Sequence, residues 1–156
     1  MSGALDRFLD AARARGLDPE ARRFPQGTKT AEDAARAIGC DVGQIVKSLV
    51  FMADDGPVLA LTSGSNRVDE RKLATVAGVE GVRRASPDEA RAATGFAVGG
   101  TPPFGHRDRV PAYCDEDLLE HEEVWAAAGT PDSVFPLAPS DLVRLSGARV
   151  VDLAAS

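Results

Sequence analysis

The spacing of apolar positions divides the chain into short elements. Leu5, Phe8, Leu9 and Ala12 recur at helical intervals and Gly16 suits the position just past a helix end, so a helix over 2–15 is expected, packed through that stripe. Residues 17–29 are polar and turn-rich, and Phe24 can anchor a short extended piece there. Thr30 is a good N-cap for a helix over 31–38, with Glu32 and Asp33 in its first turn and Gly39 as its stop. Asp41 can cap one further turn, 42–45. Two apolar runs, 47–53 and 57–63, flank Asp54-Asp55-Gly56 and read as a hairpin. Residues 66–78 read as a turn and then a helix with Leu73, Val76 and Ala77 inward, and 79–84 as a short strand. Ser86-Pro87-Asp88-Glu89 supplies a cap, an N1 proline and an N3 glutamate for a helix ending near Thr94-Gly95. Strands follow at 110–114, 124–128 and 133–137, then a helix from Pro139 to Leu145 closed by Gly147, and a last strand at 150–153. Helices interspersed with hairpin-linked strands indicate an α+β (mixed α/β) fold around a mixed sheet.

Within this pattern Lys47 stands out. It sits at the entrance of a strand, among Ile45, Val46, Leu49, Val50 and Phe51. Period-two alternation puts it on one face with Leu49 and Phe51. A charged group on such a face needs a partner, a pocket mouth or a bound anion. The chain has three lysines against fifteen arginines, a ratio that genome composition alone can produce. A compact ammonium at this spot still acts differently from a planar guanidinium.

Bulk properties narrow the picture. A length of 156 residues predicts one domain, and 44% apolar content is enough for a core. With only 5% aromatics, that core must be built mainly of Ala, Val and Leu. The net charge of −6 argues against binding DNA or RNA by a broad basic face, while leaving room for recognition of one nucleotide end. No apolar run reaches the ~18 residues of a membrane helix, and the charged N-terminus lacks a signal-peptide core, so a cytoplasmic protein without membrane attachment is expected. Cys40 and Cys114 form no metal-binding spacing with His106 and His121, and reduced thiols are the simplest reading. Neither a metal nor a cofactor is expected.

Two further segments carry potential chemistry. In Gly99-Gly100-Thr101-Pro102-Pro103-Phe104-Gly105-His106, glycines permit close backbone approach and prolines stiffen the turn, so amide N–H groups can face a developing oxyanion. A tight surface turn is the simpler reading of the same composition, and His106 reads first as a turn histidine. Ala126-Ala127-Ala128-Gly129-Thr130-Pro131 runs small residues off a strand, as either close ligand approach or close packing requires. Ser63-Gly64-Ser65-Asn66 reads as a strand-to-helix turn or as a pocket rim. Acidic residues from Asp115 to Glu123 read as a solvated face. There is no GxSxG, Walker loop, HExxH or GxGxxG, so hydrolysis would have to proceed without an obvious nucleophile or metal.

These signals occur together and in this order in a known family. The chain resembles the YbaK/ProX-type aminoacyl-tRNA editing domains, also called prolyl-tRNA synthetase-associated domains. The matching stretches are TAEDAA (30–35), IVKSLVF (45–51), LALTSG (59–64), DERKL (69–73), TGFAVGGTPPFG (94–105), AGT (128–130) and DLVRL (141–145). The resemblance implies a strongly curved mixed sheet with flanking helices, and a pocket between the Lys47 strand and the glycine loop. It implies hydrolysis of the ester joining a wrong amino acid to the 3′ end of a tRNA, with proline tRNA favoured and prolyl-tRNA synthetase a candidate partner. The family's functional lysine maps onto Lys47 and its GxxxP loop onto Gly99 to Pro103. Expected site residues are Lys47, Gly99, Gly100 and Thr101 for catalysis. Phe24, Thr30, Ser48, Ser63, Pro103, Phe104, His106, Ala128, Gly129 and Thr130 are expected to bind substrate. Phe24 stands where some relatives have tyrosine, and Ala127 and Val134 stand where some have serine and aspartate. These departures point to a different substrate subclass.

Two other readings of the same residues compete with deacylation. One is a non-catalytic module that binds tRNA ends or a synthetase. The other is an enzyme using Lys47 as an amine nucleophile, since burial lowers a lysine pKa.

Overall fold

The computed structural model describes residues 3–24 and 30–156. Along the chain run α1 (Ala4–Ala14), β1 (Arg22–Arg23), α2 (Ala31–Ile38), β2 (Val46–Ala53), β3 (Gly56–Ser63), α3 (Glu70–Ala77), β4 (Val82–Arg84), α4 (Pro87–Thr94), β5 (Ala112–Asp115), β6 (Val124–Ala127), β7 (Ser133–Leu137), α5 (Pro139–Ser146) and β8 (Arg149–Val151). Two 3₁₀ turns, Val42–Gln44 and Glu116–Glu120, complete the order. The α+β reading holds, with one refinement. The strands form two sheets, a five-stranded one ordered β4-β2-β3-β5-β8 and a three-stranded one ordered β1-β7-β6. A single parallel bridge between Ile45 and Trp125 joins them.

Local chemistry accounts for the helix ends. Thr30 Oγ1 accepts the Asp33 N–H at 3.0 Å, as a helix N-cap requires. Ser86 and Glu89 form a reciprocal capping box with Pro87 at N1. Of the expected 2–15 helix Ser2 lies outside the described residues and Ala4–Ala14 is helical, and the expected 79–84 strand shortens to Val82–Arg84. The acidic stretch after β5 is not wholly a solvated face, because Leu118 and Asp115 within it are buried.

The core explains how the glycine loop is held. Phe8 of α1, fully buried, packs against Phe104 and Phe135 with ring centroids 5.2 and 4.8 Å away. That aromatic trio ties α1, the loop and β7 together around Leu59, Leu61 and Val124. A second cluster under α2 joins Ala34, Ala35, Ile45, Trp125 and Val134. Among the described residues, no helix is long and apolar enough to cross a membrane.

Candidate active site

The site begins with the edge of β2. The hairpin register pairs Lys47 with Thr62 and Leu49 with Ala60. The Ile45 carbonyl accepts the Gly64 N–H at 2.7 Å, so main-chain groups of odd-numbered residues point to β3. By alternation those of even-numbered residues point to the opposite edge. There the Val50 carbonyl accepts the Ala85 N–H at 3.0 Å, and β4 pairs only with residues 51–53. Ser48 lies beyond the end of β4, and its main chain faces a cleft of about 580 Å³. The cleft sits at the seam of the two sheets. Its walls are the start of α2, β2, the loop after α4, and β6 with the turn that succeeds it.

Lys47 lines this cleft. Its Nζ donates to the Asn66 carbonyl at 2.8 Å. Asn66 is itself fixed, because its side-chain amide donates to Asp115 at 2.9 Å and to Asp117 at 2.7 Å. Burial lowers the lysine pKa, the Glu32 carboxylate raises it, and the Arg84 and Arg67 guanidiniums lower it. Lys47 thus sits in a partly dry setting, with one N–H committed to protein.

Opposite stands the loop after α4. Gly99 takes a left-handed φ of 86°, and both Gly99 and Thr101 line the cleft. The loop is closed on the Ala97 carbonyl, which accepts the Gly100 N–H at 3.0 Å and the Thr101 hydroxyl at 3.1 Å. The Gly100 amide is therefore already engaged, whereas the Gly99 and Thr101 amides have no acceptor among the described residues. A Cβ on Gly100 would lie 2.8 Å from the Thr130 backbone, so this glycine lets two loops touch.

The remaining expected residues divide between cleft and core. Thr30 and Ser48 line the cleft. Phe24 packs in the cluster under α2 instead. Ser63 is buried and donates to the Gly43 carbonyl at 2.8 Å, which ties the turn after β3 to the 3₁₀ turn before β2. Pro103 and Phe104 point inward, and Phe104 belongs to the aromatic core. The His106 ring nitrogen Nε2 lies 2.6 Å from the Pro102 carbonyl, and burial lowers its pKa, so it serves the turn. Ala128 is buried and pairs with Ser133; Gly129 lies against the start of α1; and Thr130 donates to Asp132 at 2.7 Å. These eight are expected at the ligand from the family resemblance, and the local sequence does not tell whether small, polar and ring-bearing residues turn toward a cleft or toward packing.

Arg84 and Trp125 were not legible as site components from the sequence, whereas Asn66 falls in the stretch 63–66 that reads as a turn or a pocket rim. Arg84 and Trp125 line the cleft, Asn66 holds the lysine, and Arg22 lies over the Trp125 ring at 5.0 Å. Glu32 also lines the cleft, although locally it reads as a first-turn helix acid. Ala127 and Val134 do line the cleft, as apolar wall. Among the described residues, none of the lining hydroxyls is paired with a basic side chain. Thr30 caps α2, Thr101 bonds Ala97, Ser133 bonds Thr130, and the Ser48 hydroxyl is buried without a partner.

The model of the aminoacyl-tRNA editing domain family matches residues 25–145, and the chain belongs to that family. A solved structure described as a candidate trans-editing enzyme for prolyl-tRNA synthetase superposes with a TM-score of 0.94 at 46% identity, covering 100% of this chain and 99% of that one. EbsC of Enterococcus faecalis, named a candidate Cys-tRNA(Pro)/Cys-tRNA(Cys) deacylase, is 29% identical over 80% of this chain and 76% of its own length. The proline–tRNA ligase of Shouchella clausii is 35% identical over 70% of this chain, which corresponds to 19% of the ligase.

Proposed function

We propose that this protein hydrolyses the ester joining a wrongly attached amino acid to the 3′ end of a tRNA, acting in trans, with proline tRNA as the favoured carrier. The observation that carries the reading is that Lys47, Gly99 and Thr101 line one cleft, with the Gly99 and Thr101 amides uncommitted among the described residues. The relatives' association with prolyl-tRNA synthetase and with Cys-tRNA(Pro) supports the choice of carrier. Such an activity belongs in the cytoplasm, where charged tRNA is made.

The chemistry rests on what the cleft holds and what it lacks. Water attacks the ester carbonyl and the carbonyl oxygen becomes an oxyanion. Lys47 and the two amides are donors fixed before the reaction begins, so they favour the charge as it develops. Collapse of the tetrahedral adduct releases the ribose 3′ oxygen, which takes up a proton, and the free amino acid. The neighbouring ribose hydroxyl positions the water, so a side-chain nucleophile is not required. Apolar walls of Val46, Ala126, Ala127 and Val134 suit a small uncharged side chain. Selection by size is worth only ~1–3 kcal/mol per methylene, which is the reason for a separate editing site.

A panel of mischarged proline tRNAs, assayed with wild type and Lys47→Ala, tests the proposal. Wild type is expected to exceed spontaneous ester loss on at least one small amino acid, and Lys47→Ala to lose about 10²–10³ of that rate. Wild-type turnover no faster than spontaneous loss on every member would overturn it.

A further inference from the structure

We propose that Glu32 is the subsite for the substrate's α-ammonium group, so that the enzyme acts on free aminoacyl esters and spares N-acylated ones. This rests on the deacylase reading and adds a recognition element to it. Among the described residues Glu32 is the one carboxylate that lines the cleft, and it is exposed there. The next acid of α2, Asp33, pairs with Arg36. Glu32 makes no hydrogen bond or ion pair with any described residue. It is nevertheless near enough to Lys47 for its charge to act on the amine.

The chemistry of the ester calls for such a group. An aminoacyl ester carries a cationic amine one carbon from the carbonyl under attack. Presenting Lys47 and Arg84 to that carbonyl brings like charges together in a partly dry cleft, where they repel more strongly than in water. A carboxylate at the same mouth offsets that repulsion and accepts a charge-assisted hydrogen bond from the ammonium. An acylated nitrogen has neither the charge nor the donors to match, and leaves Glu32 facing an amide. Peptidyl and formylated esters would therefore be left intact while free aminoacyl esters are removed.

The test compares the best free aminoacyl-tRNA substrate with its N-acetyl derivative, each measured above its own spontaneous loss, for wild type and Glu32→Gln. Wild type is expected to lose about 10- to 100-fold in kcat/KM on acetylation. Glu32→Gln is expected to lose a similar factor on the free ester only, so that its two rates become nearly equal. A first-turn acid that only supported the helix would leave the acetylation ratio untouched. A second readout is binding of an amide-linked aminoacyl-adenosine, with and without an N-acetyl group. Equal affinities in wild type, or a preference that survives in Glu32→Gln, would overturn the inference. Wild type silent toward every ester would instead sink the deacylase reading itself, and the Glu32 role would fall with it.

Discussion

Lys47 shows how one residue can be both costly and useful. Burial disfavours its charge, and the guanidiniums of Arg84 and Arg67 disfavour it further. The Asn66 carbonyl and the Glu32 carboxylate offset this. A second single-residue constraint is the size of Gly100. An added methyl group would lie 2.8 Å from the Cα of Thr130, a backbone atom that cannot swing aside. Gly100→Ala is therefore expected to destabilise by about 1–3 kcal/mol, as overpacking typically does, read from urea midpoints. It should also lower activity, because the loop that moves carries the Gly99 and Thr101 amides. An unchanged midpoint would show that the two loops can separate freely.

At the scale of elements, β2 works because its two edges are unequal. One edge is paired throughout with β3, and the other is paired with β4 only over 51–53, which leaves the Ser48 region for a ligand. The segment after β4 must then be firmly placed, and the start of α4 does this. Its N-terminus is set by the Ser86–Glu89 box, and Glu89 makes a two-pronged pair with Arg83 at 2.7 Å. The Arg83 bond first, then the Ser86 N–H, hold the Glu89 carboxyl down at about 2 from its usual 4.5. The unfolded state binds this proton more readily, so the contribution to stability is complete above about pH 4.5. It declines as pH falls toward 2. Thermal unfolding followed across that window is expected to show a shallower acid slope for Glu89→Gln than for wild type, with the two curves converging near pH 2. Parallel curves would place the acid sensitivity elsewhere.

The whole molecule turns on the seam between its sheets. The Ile45–Trp125 bridge holds β2 beside β6, and the cleft opens where the two sheets meet. Cations gather there despite a net charge of −6, since Lys47, Arg84 and the Arg22–Trp125 stack all border it. The fold also separates its two thiols. Cys114 is fully buried, and burial followed by the Asp115 charge pushes its pKa up to about 12. Cys40 is half-buried, and burial followed by the Asp41 charge raises its pKa. Iodoacetamide on the native protein is expected to modify Cys40 first and Cys114 only after unfolding, as peptide mass mapping would show. Early labelling of Cys114 would mean that the core opens readily.

Much of this was legible residue by residue. Caps, stops and turn residues act over a few positions, so Thr30, Gly39, Ser86 and Gly95 marked their helix ends. Period-two alternation correctly placed Lys47 with Leu49 and Phe51, since a pleated strand allows no other arrangement. Which side of the glycine loop faces the cleft was not legible. Orientation there depends on Phe104 packing against Phe8 and Phe135, partners far away in the chain. Arg84 and Trp125 were hidden for the same reason, because strand register and a single inter-sheet bridge bring them to the cleft. The chain by itself determined its elements, its lysine-bearing strand and its family. Tertiary structure alone decided which amides stay free and which charges meet, because those depend on contacts between segments that local sequence does not encode.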